Sequence, residues 1–157
     1  MKDALDLIAT ERLLAIASPR RPKQAELRRA ISTAYYALFH AMARDAADLL
    51  IGTKRGRSEE AWTQVYRALQ HGPAKEACQR ARKLGFPAAI RACADAFVEL
   101  QQARHEADYD PNQRFARAAA QARINSAEQA IHDLARAPRT DRKAFAVLLL
   151  LKKPRQG

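Results

Sequence analysis

The chain has 157 residues, 28 Lys and Arg against 17 Asp and Glu, a net charge of +11, two cysteines, five glycines, and alanine as its commonest residue. A chain of this length buries a core without staples, and Cys78 and Cys93, with no CxxC pair, suggest neither a disulfide framework nor a zinc site. The longest apolar run, 144–151, is too short to span a bilayer, and Lys2, Asp3, Asp6, Glu11 and Arg12 interrupt the amino-terminal apolar pattern, unlike a signal peptide or anchor. The expectation is a soluble cytoplasmic protein with reduced thiols, no membrane contact, no cofactor and no metal.

Helix-favouring residues dominate, β-branched residues are few and no stretch alternates with period two, so the fold class is all-α. The first predicted helix covers 2–17, with Leu5, Ile8, Ala9, Leu13 and Ile16 on one face and Ser18-Pro19 at its end. The second and longest covers 23–51 and closes at Gly52 and the basic loop 53–57. Its apolar residues, among them Leu27, Ile31, Ala34, Tyr35, Tyr36, Leu38, Phe39 and Met42, surround so much of the helix that it must be central.

Ser58, followed by Glu59 and Glu60, reads as the N-cap of a third helix through Gln70, ended by Gly72-Pro73. On this reading His71 sits at a helix C-terminus, where a cationic ring is favoured, and His40 is a hydrogen-bonded ring on the central helix. A short helix over 74–84 stops at Gly85. The fourth long helix runs from Phe86-Pro87 to Tyr109, with Pro87 suited to its first turn, and Asp110-Pro111-Asn112 breaks it. A fifth covers 112–137. After Pro138 a short apolar helix over 143–151 leads into a tail with Lys152, Lys153, Pro154 and Arg155. Residues 1–138 therefore read as a single helical bundle with an amino-terminal helix, and 139–157 as a short apolar helix and basic tail.

The positive charge is unevenly placed. Residues 111–157 hold 10 basic and 3 acidic residues, whereas the preceding 110 are nearly balanced. A local basic surface points to nucleic acid or phosphate more strongly than overall pI does, and Arg114, Arg117 and Arg123 are the candidate phosphate contacts.

Familiar catalytic constellations are absent. His105-Glu106 has no second histidine one turn on, no nucleophile elbow or phosphate-cradling glycine loop occurs, and Asp108 and Asp110 lie on opposite sides of a helix end. On the fourth helix Phe86, Ile90, Cys93, Phe97, Leu100, Arg104 and Ala107 share one stripe, so Arg104 occupies an apolar register position. Such a guanidinium needs a partner or a cleft, and Asp108 is one turn away. The polar cluster Arg104-His105-Glu106-Ala107-Asp108-Tyr109-Asp110 is the candidate site, with Arg104, His105, Asp108 and Tyr109 as candidate catalytic residues.

Together, Ala30-Ile31-Ser32-Thr33-Ala34-Tyr35-Tyr36-Ala37-Leu38-Phe39-His40-Ala41 and Arg104-His105-Glu106-Ala107-Asp108-Tyr109-Asp110 resemble the HEPN (higher eukaryotes and prokaryotes nucleotide-binding) family over roughly 27–131. The resemblance implies an up-and-down bundle of four or five long antiparallel helices with short accessory helices, commonly a homodimer that presents Arg104, Asp108 and Tyr109 of each subunit to a central cleft. It also implies RNA or a nucleotide as ligand, and for many members metal-independent ribonuclease activity as toxins paired with a minimal nucleotidyltransferase in toxin-antitoxin or stress and defence modules.

Active members carry an arginine, four to six intervening residues, and a histidine. After Arg104 those positions hold Tyr109, Asp110 and Pro111. Metal-free RNA cleavage needs a base for the ribose 2′-hydroxyl and an acid for the leaving oxygen, work suited to imidazole, whereas a guanidinium holds a phosphate without either. The expected function is thus RNA or nucleotide binding. The alternatives are an endoribonuclease using Arg104 with His105 or Tyr109, and a non-catalytic helical dimer or partner-binding protein in which Asp108 and Tyr109 are satisfied interface groups.

Overall fold

The computed structural model describes residues 1–13 and 21–151, and these form seven helices with no strand. They are α1 (Lys2–Glu11), α2 (Gln24–Leu50), α3 (Glu59–Ala68), α4 (His71–Ala81), α5 (Ala88–Tyr109), α6 (Arg117–Arg136) and α7 (Arg139–Leu150). The all-α expectation holds. Ile16, the Ser18-Pro19 stop and the residues of the basic tail lie outside the described residues.

Three helices carry the core: α2, α5 and α6, of 27, 22 and 20 residues. The starts of α2 and α6 meet where the Gln24 side chain brackets the Phe115 backbone, donating to its carbonyl at 2.8 Å and accepting from its N–H at 2.9 Å. Arg28, one turn into α2, donates to the Ala107 carbonyl at 2.7 Å near the end of α5, so α5 runs antiparallel to both partners. Small buried residues on the facing stripes, Ala30, Ala34, Ala37 and Ala41 on α2 and Ala120, Ala127 and Ala130 on α6, let the helices approach closely. Tyr35, Leu38, Phe97, Leu100 and Ile131 fill the space between, each apolar side chain contributing about 1.5–3 kcal/mol by its burial.

The predicted Ser58 cap is present, and a second cap forms at the head of α2. Ser58 Oγ accepts from the Ala61 N–H at 3.2 Å, and the Lys23 N–H donates to Glu26 Oε2 at 2.8 Å at the head of α2. Gly85, at φ +71°, takes the left-handed turn that separates α4 from α5.

Three boundaries differ from expectation. The fifth predicted helix begins at Arg117 instead of Asn112, because Asp110 Oδ1 accepts from the Asn112 N–H at 2.9 Å and Gln24 holds the Phe115 backbone extended. Gly72 and Pro73 do not end the third helix. α3 stops at Ala68, and both residues lie in the first turn of α4, where a proline's missing N–H costs no intrahelical bond. His71 accordingly stands at the amino-terminal end of α4, not at a helix C-terminus.

The last helix starts at Arg139, behind Pro138, and is not peripheral to the core. Phe145, Ala146 and Leu149 are buried, and Arg142 forks onto the buried Asp45 of α2, with Nε 3.3 Å from Oδ2 and Nη2 bonded to Oδ1.

Candidate functional site

Arg104 lies on the packing stripe of α5, five residues before the helix ends at Tyr109, and its side chain, only 14% exposed, lies against Tyr35 and Tyr36 of α2. Its Nε donates to Asp108 Oδ2 at 3.3 Å, the expected one-turn pair, and Ser32 Oγ supports the same carboxylate oxygen at 3.4 Å. The guanidinium carbon lies 5.5, 5.6 and 5.7 Å from the ring centres of Tyr35, Tyr36 and Tyr109, so three π systems surround the cation. Neither terminal nitrogen of Arg104 has a hydrogen-bond partner among the described residues, and neither is sealed from solvent. The cation is thus both paired and open to a cleft.

That cleft, of about 340 Å³, lies between the first turns of α4 and the carboxy-terminal half of α5. His71 and Lys75 line it from α4, and Gln101, Gln102, Arg104 and His105 from α5. Lys75 and Gln102 also line an adjoining hollow of about 390 Å³ that reaches Arg123 of α6.

His71 is the residue that sequence reasoning placed wrongly. Its Nδ1 is 2.5 Å from the Tyr35 hydroxyl, its ring stacks on Phe39 with centres 4.3 Å apart, and its backbone carbonyl accepts from Gln101 Nε2 at 2.9 Å. Burial, with the Arg104 charge and then the neighbouring His40 adding to it, holds the imidazole below its ordinary pKa. Burial also pushes the Tyr35 phenol up, although Arg104 opposes the shift. A neutral imidazole bonded to a neutral phenol follows at physiological pH. Reading Gly72-Pro73 as a helix's first turn would have turned His71 toward α5 at the sequence level.

His40 continues the aromatic layer along α2. Its Nδ1 is 2.8 Å from the Tyr66 hydroxyl, and Tyr66 stacks on Trp62 with centres 5.2 Å apart, which is how α3, with no fully buried residue of its own, is held on α2. Burial lowers the His40 pKa.

The predicted site residues fall into two groups. Arg104, His105, Asp108 and Tyr109 are together, with the His105 and Tyr109 ring centres 4.9 Å apart and Tyr109 64% exposed. Of the predicted phosphate contacts, Arg123 reaches the adjoining hollow, while Arg114 and Arg117 are exposed at the start of α6 and in the segment before it, outside the residues lining either cleft. Cys78 and Cys93 are free and buried, and burial raises both thiol pKa values, so neither is poised as a nucleophile. Among the described residues no group of three or more His, Cys, Asp or Glu is arranged to hold a metal ion, and no helix is long and apolar enough to cross a membrane.

Comparison with protein-family models, with curated proteins and with solved structures finds no match to this chain.

Proposed function

We propose that the protein is a HEPN-type RNA- or nucleotide-binding protein whose ligand phosphate sits in the cleft between α4 and α5. The observation that carries this reading is the state of Arg104: Asp108 fixes Nε, the residue lines the cleft, and its two terminal nitrogens have no hydrogen-bond partner among the described residues. A guanidinium held this way presents a planar fork to phosphate oxygens. Lys75 in the same cleft and Arg123 in the adjoining hollow extend the positive surface. The exposed rings of His105 and Tyr109 offer faces for a base.

Titration of a labelled single-stranded RNA at two salt concentrations tests the reading. Binding through phosphates weakens steeply as salt rises. No binding at low salt, or binding that salt leaves unchanged, overturns it.

A second reading, metal-independent RNA cleavage at the same site, is favoured by one observation. Two imidazoles, His71 and His105, line the cleft that Arg104 enters. Among the described residues, those lining the cleft include no hydroxyl, thiol or carboxylate to act as a nucleophile. A ribose 2′-hydroxyl beside the bound phosphate is a nucleophile that the substrate itself brings.

A further inference from the structure

Arg104 is followed by no histidine at the positions where a one-helix arginine and histidine pair would place it. The fold brings an imidazole to the same cleft from another helix. His71 precedes Arg104 by a helix, a turn and most of α5 in sequence, yet the two line one wall-to-wall space between α4 and α5.

We infer that His71 is the general base of this cleft, taking the proton from a ribose 2′-hydroxyl whose phosphate Arg104 holds, with Tyr35 as its positioning residue. The inference rests on the cleavage reading above and adds the residue that performs the proton transfer.

Three contacts prepare His71 for that role. Tyr35 is fully buried and bonds Nδ1, the Phe39 ring lies against the imidazole face, and Gln101 grips the backbone carbonyl. With Nδ1 engaged, Nε2 is the nitrogen without a partner among the described residues. A Nδ1–H donating to the Tyr35 oxygen leaves the Nε2 lone pair as acceptor, the tautomer a base requires. The depressed imidazole pKa, caused chiefly by burial, keeps the base neutral near pH 7.

The chemical step balances without water. The 2′-oxygen forms a bond to phosphorus as its proton passes to His71 Nε2, and the bond from phosphorus to the 5′-oxygen breaks as that oxygen takes a proton from His105. The products are a 2′,3′-cyclic phosphate and a 5′-hydroxyl, and the protein ends with one proton moved from His105 to His71. Arg104 and Lys75 stabilise the charge that accumulates on the phosphoryl oxygens. A 2′-deoxy strand lacks the nucleophile and is bound without being cut.

The test uses the full chain with EDTA, a labelled poly(U) oligonucleotide and its 2′-deoxy counterpart, reading both binding and cyclic-phosphate ends. The expected result is cleavage of the RNA alone, a loss on the order of 10²–10⁴-fold in His71→Gln with binding retained, and no loss in His132→Ala, on α6 outside the cleft. Tyr35→Phe is expected to shift the pH profile of cleavage and not the affinity. Unchanged cleavage in His71→Gln overturns the assignment of His71. Binding that depends on Arg104 but yields no cyclic-phosphate ends overturns the assignment and the cleavage reading while leaving the binding reading intact. Absence of binding overturns the binding reading itself.

Discussion

The Tyr35 hydroxyl, at the centre of the bundle, lies 2.5 Å from Nδ1 of His71, at the exposed head of α4. This contact couples the packed interior of α2 to the wall of the Arg104 cleft. Tyr35 is not replaceable by an equally apolar ring without consequence: Tyr35→Phe keeps the packing against Phe97 but removes the bond. The expected cost is about 1 kcal/mol of stability, measured by urea denaturation. An unchanged midpoint would show that the bond adds nothing to the fold.

His71 and His40 give the stability a defined pH dependence. Both imidazoles have depressed pKa values in the folded state, so the unfolded chain binds more protons below about pH 6.5. Their contribution is therefore complete above that value and is lost as pH falls through the folded values. Arg104, Lys75, His105, Tyr35, Tyr36 and His40 are the charged and titratable groups around His71, and Tyr36 and Tyr66 adjoin His40. A His40→Asn/His71→Asn variant is expected to lose less thermal stability than the parent between pH 7.5 and pH 5.5, pH values chosen to lie about one unit either side of the free imidazole pKa. Equal losses in the two proteins would contradict the assignment.

The all-α class, the central place of α2, the Ser58 cap and the turn at Gly85 were legible because each is written locally, in periodicity or in one residue's backbone preference. The start of α6 was not. Nothing near Asn112 announces that Gln24, 91 positions away, holds the Phe115 backbone. The Arg104 and Asp108 pair was legible from a one-turn spacing on a stripe. His71 was hidden for the opposite reason: Gly72-Pro73 looks like a terminator whether it follows a helix or opens one, and only the packing of α4 on α5 decides.

Asp45 and Arg142 form the buried pair that seats α7. Removing one partner strands the other charge, so Arg142→Ala is expected to lower stability by about 3–5 kcal/mol, whereas Asp45→Leu/Arg142→Met recovers most of the loss. Denaturant melts of the two variants check this, and a mild effect of Arg142→Ala would show that α7 is held by its apolar face alone.

Arg28 holds three carbonyls, those of Ala107 at 2.7 Å, Asp110 at 2.9 Å and Gln113. It closes the end of α5 and fastens 111–116 against α2. Arg28→Ala is expected to make the bond after Arg114 a preferred site for trypsin, with α5 retained. Limited proteolysis read by mass spectrometry reports the outcome, and a cleavage pattern identical to the parent's would mean that Gln24 suffices.

Fluorescence-anisotropy titration of one labelled single-stranded RNA with the parent, Arg104→Gln and His132→Ala at low salt tests the phosphate-binding role of Arg104 most directly. Loss of charged hydrogen bonds worth about 1.5–3 kcal/mol predicts an affinity weakened at least about tenfold in Arg104→Gln and unchanged in His132→Ala. Equal affinities for the parent and Arg104→Gln, with both folded by circular dichroism, would contradict the account.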